Sequence, residues 1–129
     1  MKMMAIDLGL KRIGLAITLD GNIVTPIQAV QRKNRNQASQ EVREALKEWQ
    51  IEKIVVGIPM NGESEDEMRR RVKHFLSLVA YDVPVAYQDE SESSLEAKEL
   101  MRGQISQKRD GRIDSIAAKI ILERYLSRG

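Results

Sequence analysis

The chain has no cysteine among its 129 residues, which excludes a disulfide framework and any thiolate metal site. Aromatic side chains make up only 4% of it, so it offers few platforms on which the bases of a single strand could stack. Long hydrophobic runs are missing as well. The longest are short segments such as Ile54-Val55-Val56, well below the length that spans a bilayer. The opening residues, Met1-Lys2-Met3-Met4-Ala5-Ile6-Asp7, lack the apolar region and small-residue cleavage site of a signal peptide, and a cytoplasmic location is expected. With no internal repeat and no Pro/Gly/Ser-rich linker, residues 1–129 read as one domain.

The 42% hydrophobic and 31% charged content is ordinary for a globular domain large enough to bury one core. A net charge of +2 says little about partners, but its distribution says more. Basic residues gather at Lys11-Arg12, at Arg32-Lys33 with Arg35, at Arg69-Arg70-Arg71 with Lys73, and from Arg102 to Arg112. Each cluster suits a solvated surface, and together they suit a polyanion. His74, the only histidine, ends the stretch Arg69-Arg70-Arg71-Val72-Lys73-His74 and is read as part of a solvated helix face.

Hydrophobic periodicity assigns a strand to Met3–Ile6 and a second to Ile13–Leu19. The turn Asp20-Gly21-Asn22 then feeds a short third strand near Ile23 and Val24. Pro26 marks the end of pairing or an edge position. Ala38, Val42, Ala45, Leu46 and Trp49 recur at helical spacing from about Asn36. Lys53–Ile58 is a continuous apolar run, expected of a strand buried on both faces. A second helix carries Met68, Val72, Phe75, Leu76 and Val79, and a strand follows at Val83–Gln88. Ser93 and Glu96 are spaced as a capping box before a further helix with Leu95, Leu100 and Met101. Gly103–Gly111 reads as a loop and Ile113–Leu126 as the last helix. Three strands followed by α/β crossovers require an α/β fold with a mixed sheet and helices on its faces.

Three carboxylates stand out by position. Asp7 ends the first strand, Glu90 follows the strand at Val83–Gln88, and Asp114 opens the last helix on a stripe with Ala118, Ile121, Leu122 and Tyr125. Sites in α/β sheets lie beyond the carboxyl ends of strands. Each acid also has a plain structural reading: an Asx turn for Asp7, a loop acid for Glu90, a first-turn or capping acid for Asp114. Asp89 and Asp110 are the reserve choices for the second and third positions. Three acids converging on one sheet edge would repel one another unless a divalent cation neutralised them. Oxygen ligands of this kind suit Mg²⁺ or Mn²⁺, and a pair of such ions supports phosphodiester hydrolysis. An acid before a Gly-rich hairpin also opens actin-like ATPases, but those need two such domains.

The segments Asp7-Leu8-Gly9-Leu10-Lys11-Arg12-Ile13-Gly14-Leu15-Ala16, Ile54-Val55-Val56-Gly57-Ile58-Pro59 with Gly62, Asp89-Glu90, and Ile113-Asp114-Ser115-Ile116-Ala117-Ala118 with Ile121-Leu122 resemble the YqgF/RuvX family over nearly the whole chain. Its members are described as candidate Holliday junction resolvases and candidate pre-16S ribosomal RNA nucleases. The resemblance implies an RNase H-like fold with a five-stranded sheet, three antiparallel strands followed by parallel additions. It implies a catalytic and metal-binding triad of Asp7, Glu90 and Asp114, holding two Mg²⁺ or Mn²⁺ ions. Lys11 and Arg12 match its basic pair, and Arg109 and Arg112 are further candidates for contact with the phosphate backbone. Gly57 matches a glycine whose missing side chain would leave room for metal or substrate. In one respect the chain departs from the pattern. Where the family has arginine, an apolar residue and two threonines after the acidic pair, it reads Ser91-Glu92-Ser93-Ser94, without a guanidinium to bind phosphate.

The expected function is therefore a metal-dependent nuclease processing the 5′ end of pre-16S rRNA, an assignment to RNA that comes from the resemblance alone. The alternatives are a resolvase of branched DNA and a non-catalytic nucleic-acid-binding ribosome-assembly factor. No membrane partner is expected, and the chain would work as a monomer or, if it makes two symmetric cuts, a homodimer.

Overall fold

The computed structural model describes residues 1–60, 62–90 and 111–128. Its strands are β1 (Met3–Leu8), β2 (Arg12–Thr18), β3 (Val24–Gln31), β4 (Lys53–Ile58) and β5 (Val85–Asp89). Its described helices are α1 (Arg35–Glu48), α2 (Glu65–Val79) and α3 (Arg112–Ser127). The strands form one sheet in the order β3-β2-β1-β4-β5. The β1–β2 and β2–β3 pairs are antiparallel, and β4 and β5 add in parallel beyond β1. The mixed sheet read from the sequence is thus present, with β1 at its centre.

Side-chain alternation gives the sheet two unlike faces. Met4 and Ile6 of β1, Ile13, Leu15 and Ile17 of β2, and Ile54, Val56 and Ile58 of β4 project large side chains into a core closed by Val42 and Leu46 of α1 and Val72, Phe75 and Val79 of α2. On the other face the same strands present Ala5, Ala16 and Val55, against which Ala118, Ile121 and Leu122 of α3 pack. Small residues on that face let α3 lie close to the sheet. Both faces of β4 are buried, as its unbroken apolar run requires.

Besides shifts of one or two residues at the ends of β1, β2, β5 and α3, two elements differ from the sequence reading for a clear physical reason. β3 runs on to Gln31 instead of stopping near Val24, and Pro26 sits inside it, paired with Ala16. β3 is an edge strand, where a residue without an amide proton costs no ladder bond on the open side. α1 begins at Arg35 because Asn34 caps it. The Asn34 side chain accepts from the Gln37 amide at 2.8 Å, and the Gln37 side chain accepts from the Asn34 amide at 3.3 Å. The expected helix after Ser93 and the loop from Gly103 lie outside the described residues.

The β2–β3 ladder shifts register between Ile13 and Leu15, which leaves backbone groups to be satisfied from elsewhere. Ser115, in the first turn of α3, meets both needs. Its Oγ donates to the Ile27 carbonyl at 2.7 Å and accepts from the Leu15 amide at 3.3 Å. Ser115 is buried, so Ser115→Ala is expected to lower stability by about 1–3 kcal/mol, the usual cost of orphaning buried polar groups. Chemical denaturation would measure it, and an unchanged midpoint would show that the first turn of α3 is not fastened there.

Candidate active site

Asp7 lies near the end of the central strand on the α3 face, directly opposite Gly14 of β2. Flanking strands and α3 leave it half-buried. The same alternation separates the two acids that follow one another in β5. Ala86 and Gln88 pair with Val55 and Gly57 and share their face, so Glu90, whose amide donates to the Ile58 carbonyl at 2.9 Å, falls on the side of Asp7. Asp89 falls on the other side, where its Oδ1 accepts from the Met60 amide at 3.2 Å. Parity thus selects Glu90 over its neighbour, a choice that composition alone left open.

Asp7 and Glu90 are joined by a side-chain hydrogen bond. Burial pushes the Asp7 carboxyl upward, the bond to Glu90 opposes that shift, and the charge of Asp114 adds to it. Glu90 is pushed up to about 8, first by burial and then by the charge and hydrogen bond of Asp7, with Asp89 adding a little. Glu90 is therefore the member of the pair that holds the proton near neutrality.

Asp114 comes near enough for its charge to reach Asp7, but its carboxylate is engaged. Arg12 Nε donates to Asp114 Oδ2 at 2.9 Å, with both side chains partly buried. Arg12, a candidate phosphate contact from the sequence, is engaged by this acid. The backbone of Asp114 is set by Gly14, since a Cβ on that glycine would lie 2.0 Å from the Asp114 carbonyl oxygen. Gly57 likewise admits its neighbours. Its missing side chain leaves space that the Ile121 side chain and Glu90 Cβ fill, at 2.3 and 3.1 Å from where a Cβ would stand. The expectation that Gly57 leaves room for metal or substrate is thus corrected: it makes room for the helix and the acid. Lys11 and Arg112 are exposed. Arg109 and Asp110 lie outside the described residues, as do Ser91 and Glu92.

The structure brings Asp7 and Glu90 into contact and Asp114 into electrostatic range. Among the described residues, no three histidine, cysteine, aspartate or glutamate side chains form a group that would hold a metal ion as they stand. The donor chemistry of the pair nonetheless fits a divalent cation, because two hard, half-buried carboxylates share a proton that such an ion would displace.

Protonation has a consequence for stability. A carboxyl whose folded pKa exceeds its unfolded value binds protons more tightly in the native state, so stability falls as pH rises across that interval. Without metal, the melting temperature is expected to fall between about pH 5 and pH 8. Glu90→Gln should flatten the profile, and thermal scans across that range would check it. A wild-type profile that rises instead would mean the pair is already neutralised.

A family model described as RuvX: Holliday junction resolvase matches residues 1–128. The chain belongs to the RuvX family. A relative from Sulfurovum sp. (strain NBC37-1), named as a candidate pre-16S rRNA nuclease, is 63% identical over 127 residues, covering 98% of this chain and 99% of the relative. A protein of the same name from Sulfurimonas denitrificans is 61% identical over 126 residues, with 98% and 97% coverage. The RuvX fold seen here is RNase H-like, as in two solved structures. One is T. thermophilus RuvC in complex with Holliday junction substrate, with TM-score 0.58, 18% identity and coverage of 99% and 95%. The other is the Fowlpox virus resolvase with its Holliday junction DNA, with TM-score 0.57, 12% identity and coverage of 99% and 98%.

Proposed function

We propose that residues 1–129 act as one nuclease domain of the cytoplasm that hydrolyses phosphodiester bonds in structured nucleic acid, with the 5′ end of pre-16S rRNA as its substrate. The observation that carries this reading is the half-buried Asp7–Glu90 pair at the carboxyl end of the sheet. Such a pair is electrostatically costly without a cation, and it stands where α/β folds place their chemistry. Family membership supports the nuclease class, and the names of the relatives support RNA. No described helix is long and apolar enough to cross a membrane.

Asp7 and Glu90 would hold Mg²⁺ or Mn²⁺. Asp114 would join them by exchanging Arg12 for the ion. When bound, the metal supplies activation of water and stabilisation of the leaving oxygen, and two ions do so symmetrically. The protein's own residues do the rest. Gly14 and Ser115 fix the first turn of α3, and with it Asp114. Arg12 would act as a positioning residue that holds Asp114 and moderates the charge Asp7 feels. Lys11 and Arg112, exposed on either side, and Arg109 by its place in the chain, contact phosphates and set the register of the backbone.

Cleavage of precursor 16S rRNA and of a four-way DNA junction, each with Mg²⁺ and with Mn²⁺, tests the reading. Metal-dependent cutting of the RNA alone supports it. Cutting of the junction alone replaces it with the second reading, a DNA resolvase, which the family description and the two junction complexes favour and which calls for a dimer. No cutting of either would leave a nucleic-acid-binding assembly factor.

A further inference from the structure

The face of the sheet opposite Asp7 carries a second feature that the acidic pair does not use. A cavity of about 400 Å³ opens between the β1–β2 turn and α2, within the size range of small-ligand sites. Its floor is apolar, built from Leu8, Met68 and Phe75, with Leu10 and Leu78 at its mouth. Leu10 is 81% exposed, an unusual position for a leucine with nothing to cover. The rim is cationic: Arg32, Arg35, Arg70, Arg71 and His74 line it, and no acidic residue among the described ones does.

These cations differ in how far they are committed. Arg32 donates to the Gly9 carbonyl at 2.7 Å and lies over the Phe75 ring, 5.7 Å from its centroid. Arg71 pairs with Glu67 at 2.9 Å. Among the described residues, Arg35 meets only the His74 ring, Nη1 to Nε2 at 3.4 Å, and Arg70 has no ion pair. A guanidinium set against an imidazole, with a second guanidinium nearby and the Glu67 carboxylate taken up by Arg71, favours an anion in their midst. An apolar floor beneath such a rim suits a ligand that is flat and apolar at one end and anionic at the other.

We propose that this cavity accepts one unpaired nucleotide of the nucleic-acid substrate, its base against Leu8, Met68 and Leu10 and its phosphate at Arg35 and Arg70. The assignment to substrate rests on the nuclease reading above. Leu8 follows Asp7 in β1 and points to the opposite face, so the cavity and the acids lie on the two sides of one strand end. A branched or looped substrate crossing the β1–β2 turn meets both. With so few aromatic residues in the chain, a single base pocket beside a charged rim is the kind of base recognition it can offer.

The test is a titration of the full chain, without divalent metal, followed by amide NMR with adenosine 5′-monophosphate and uridine 5′-monophosphate. Inorganic phosphate and the free nucleosides serve as the two partial probes. Saturable shifts at Leu8, Leu10, Arg70 and His74 are expected, with affinity at least about tenfold above either partial probe. Arg35→Gln with Arg70→Gln should weaken binding about tenfold, and Leu10→Glu should do so independently. All three positions are exposed, and the same spectra report whether each variant is folded. Shifts with phosphate as strong as with the nucleotides would overturn the proposal in favour of an anion patch. Shifts confined to Asp7 and Glu90, or no saturation at millimolar nucleotide, would also overturn it. Because no cleavage is read, a protein that binds nucleotide here but cuts nothing would sink the nuclease reading and leave the cavity assignment standing.

Discussion

Asp7→Asn is expected to reduce metal-dependent cleavage by about 10²–10³-fold or more while leaving the protein folded. The magnitude is that of losing one preorganised electrostatic group at a reacting centre. The argument for retained folding comes from the pair itself. Asparagine has nearly the volume of aspartate, fits opposite Gly14, and its amide can donate to Glu90. That donation replaces the carboxyl–carboxylate bond and removes the charge that helps push Glu90 up to about 8. The melting temperature of the metal-free variant at pH 8 should therefore equal or exceed that of the wild type. Metal supplies a second contrast. Mg²⁺ or Mn²⁺ should raise the melting temperature of the wild type, by selective binding to the native state, and raise that of Asp7→Asn much less. A variant that melts well below the wild type would make Asp7 a structural residue. One that cuts at the wild-type rate would remove the pair from catalysis altogether.

This outcome would also settle what Arg12 does. While Arg12 holds Asp114 at 2.9 Å, the third acid is partly compensated from within, though its charge still reaches Asp7. Binding of a cation at the pair would compete for Asp114, so the ion pair and the metal shell are alternative partners of one carboxylate. Neither state is visible in the spacing of residues along the chain. The contact links positions 102 residues apart, and the sequence shows only a basic residue at a hairpin and an acid at a helix start.

What could be read from the sequence follows the same division between local and long-range causes. β4 was legible to the residue because burial on both faces writes itself as an unbroken apolar run. The mixed sheet was legible because the order of elements leaves few ways to connect them. β3 was read too short: Pro26 is a stop signal only for a strand with neighbours on both sides, and edge position is a property of the whole sheet. The start of α1 was written in the sequence as Asn34 followed by Gln37, a capping pair that the periodicity of apolar residues alone does not register. At the site, the acids were found by position, yet the choice of Glu90 over Asp89 needed the register of β5 on β4. That register could have been inferred by carrying the alternation of Tyr87, which packs into the α1–α2 core, forward three residues. Ser115 carried no such signal, since its role depends on a register shift between two other strands.

Gly14→Ala should be the most destabilising small substitution in the molecule. Its added methyl would stand 2.0 Å from the Asp114 carbonyl oxygen, 2.3 Å from the Asp114 carbonyl carbon and 2.9 Å from the Ser115 amide nitrogen. All three are backbone atoms at the start of a helix, and none can rotate away. Relief requires the first turn of α3 to lift from β2, which strains the two Ser115 hydrogen bonds and displaces Asp114 together with Arg12. Overpacking of this kind costs about 3 kcal/mol, or roughly 10 °C in melting temperature for a domain of this size. Cleavage should fall even where the protein stays folded, because Asp114 no longer faces Asp7. Gly57→Ala is the matched control. Its methyl meets chiefly the end of the Ile121 side chain, which can change rotamer, so the loss of stability should be clearly smaller. Equal losses at the two glycines would mean that general tightness under α3 sets the penalty. A larger loss at Gly14 would mean that the sheet holds the N-terminal turn of α3, and the acid it carries, by direct backbone contact.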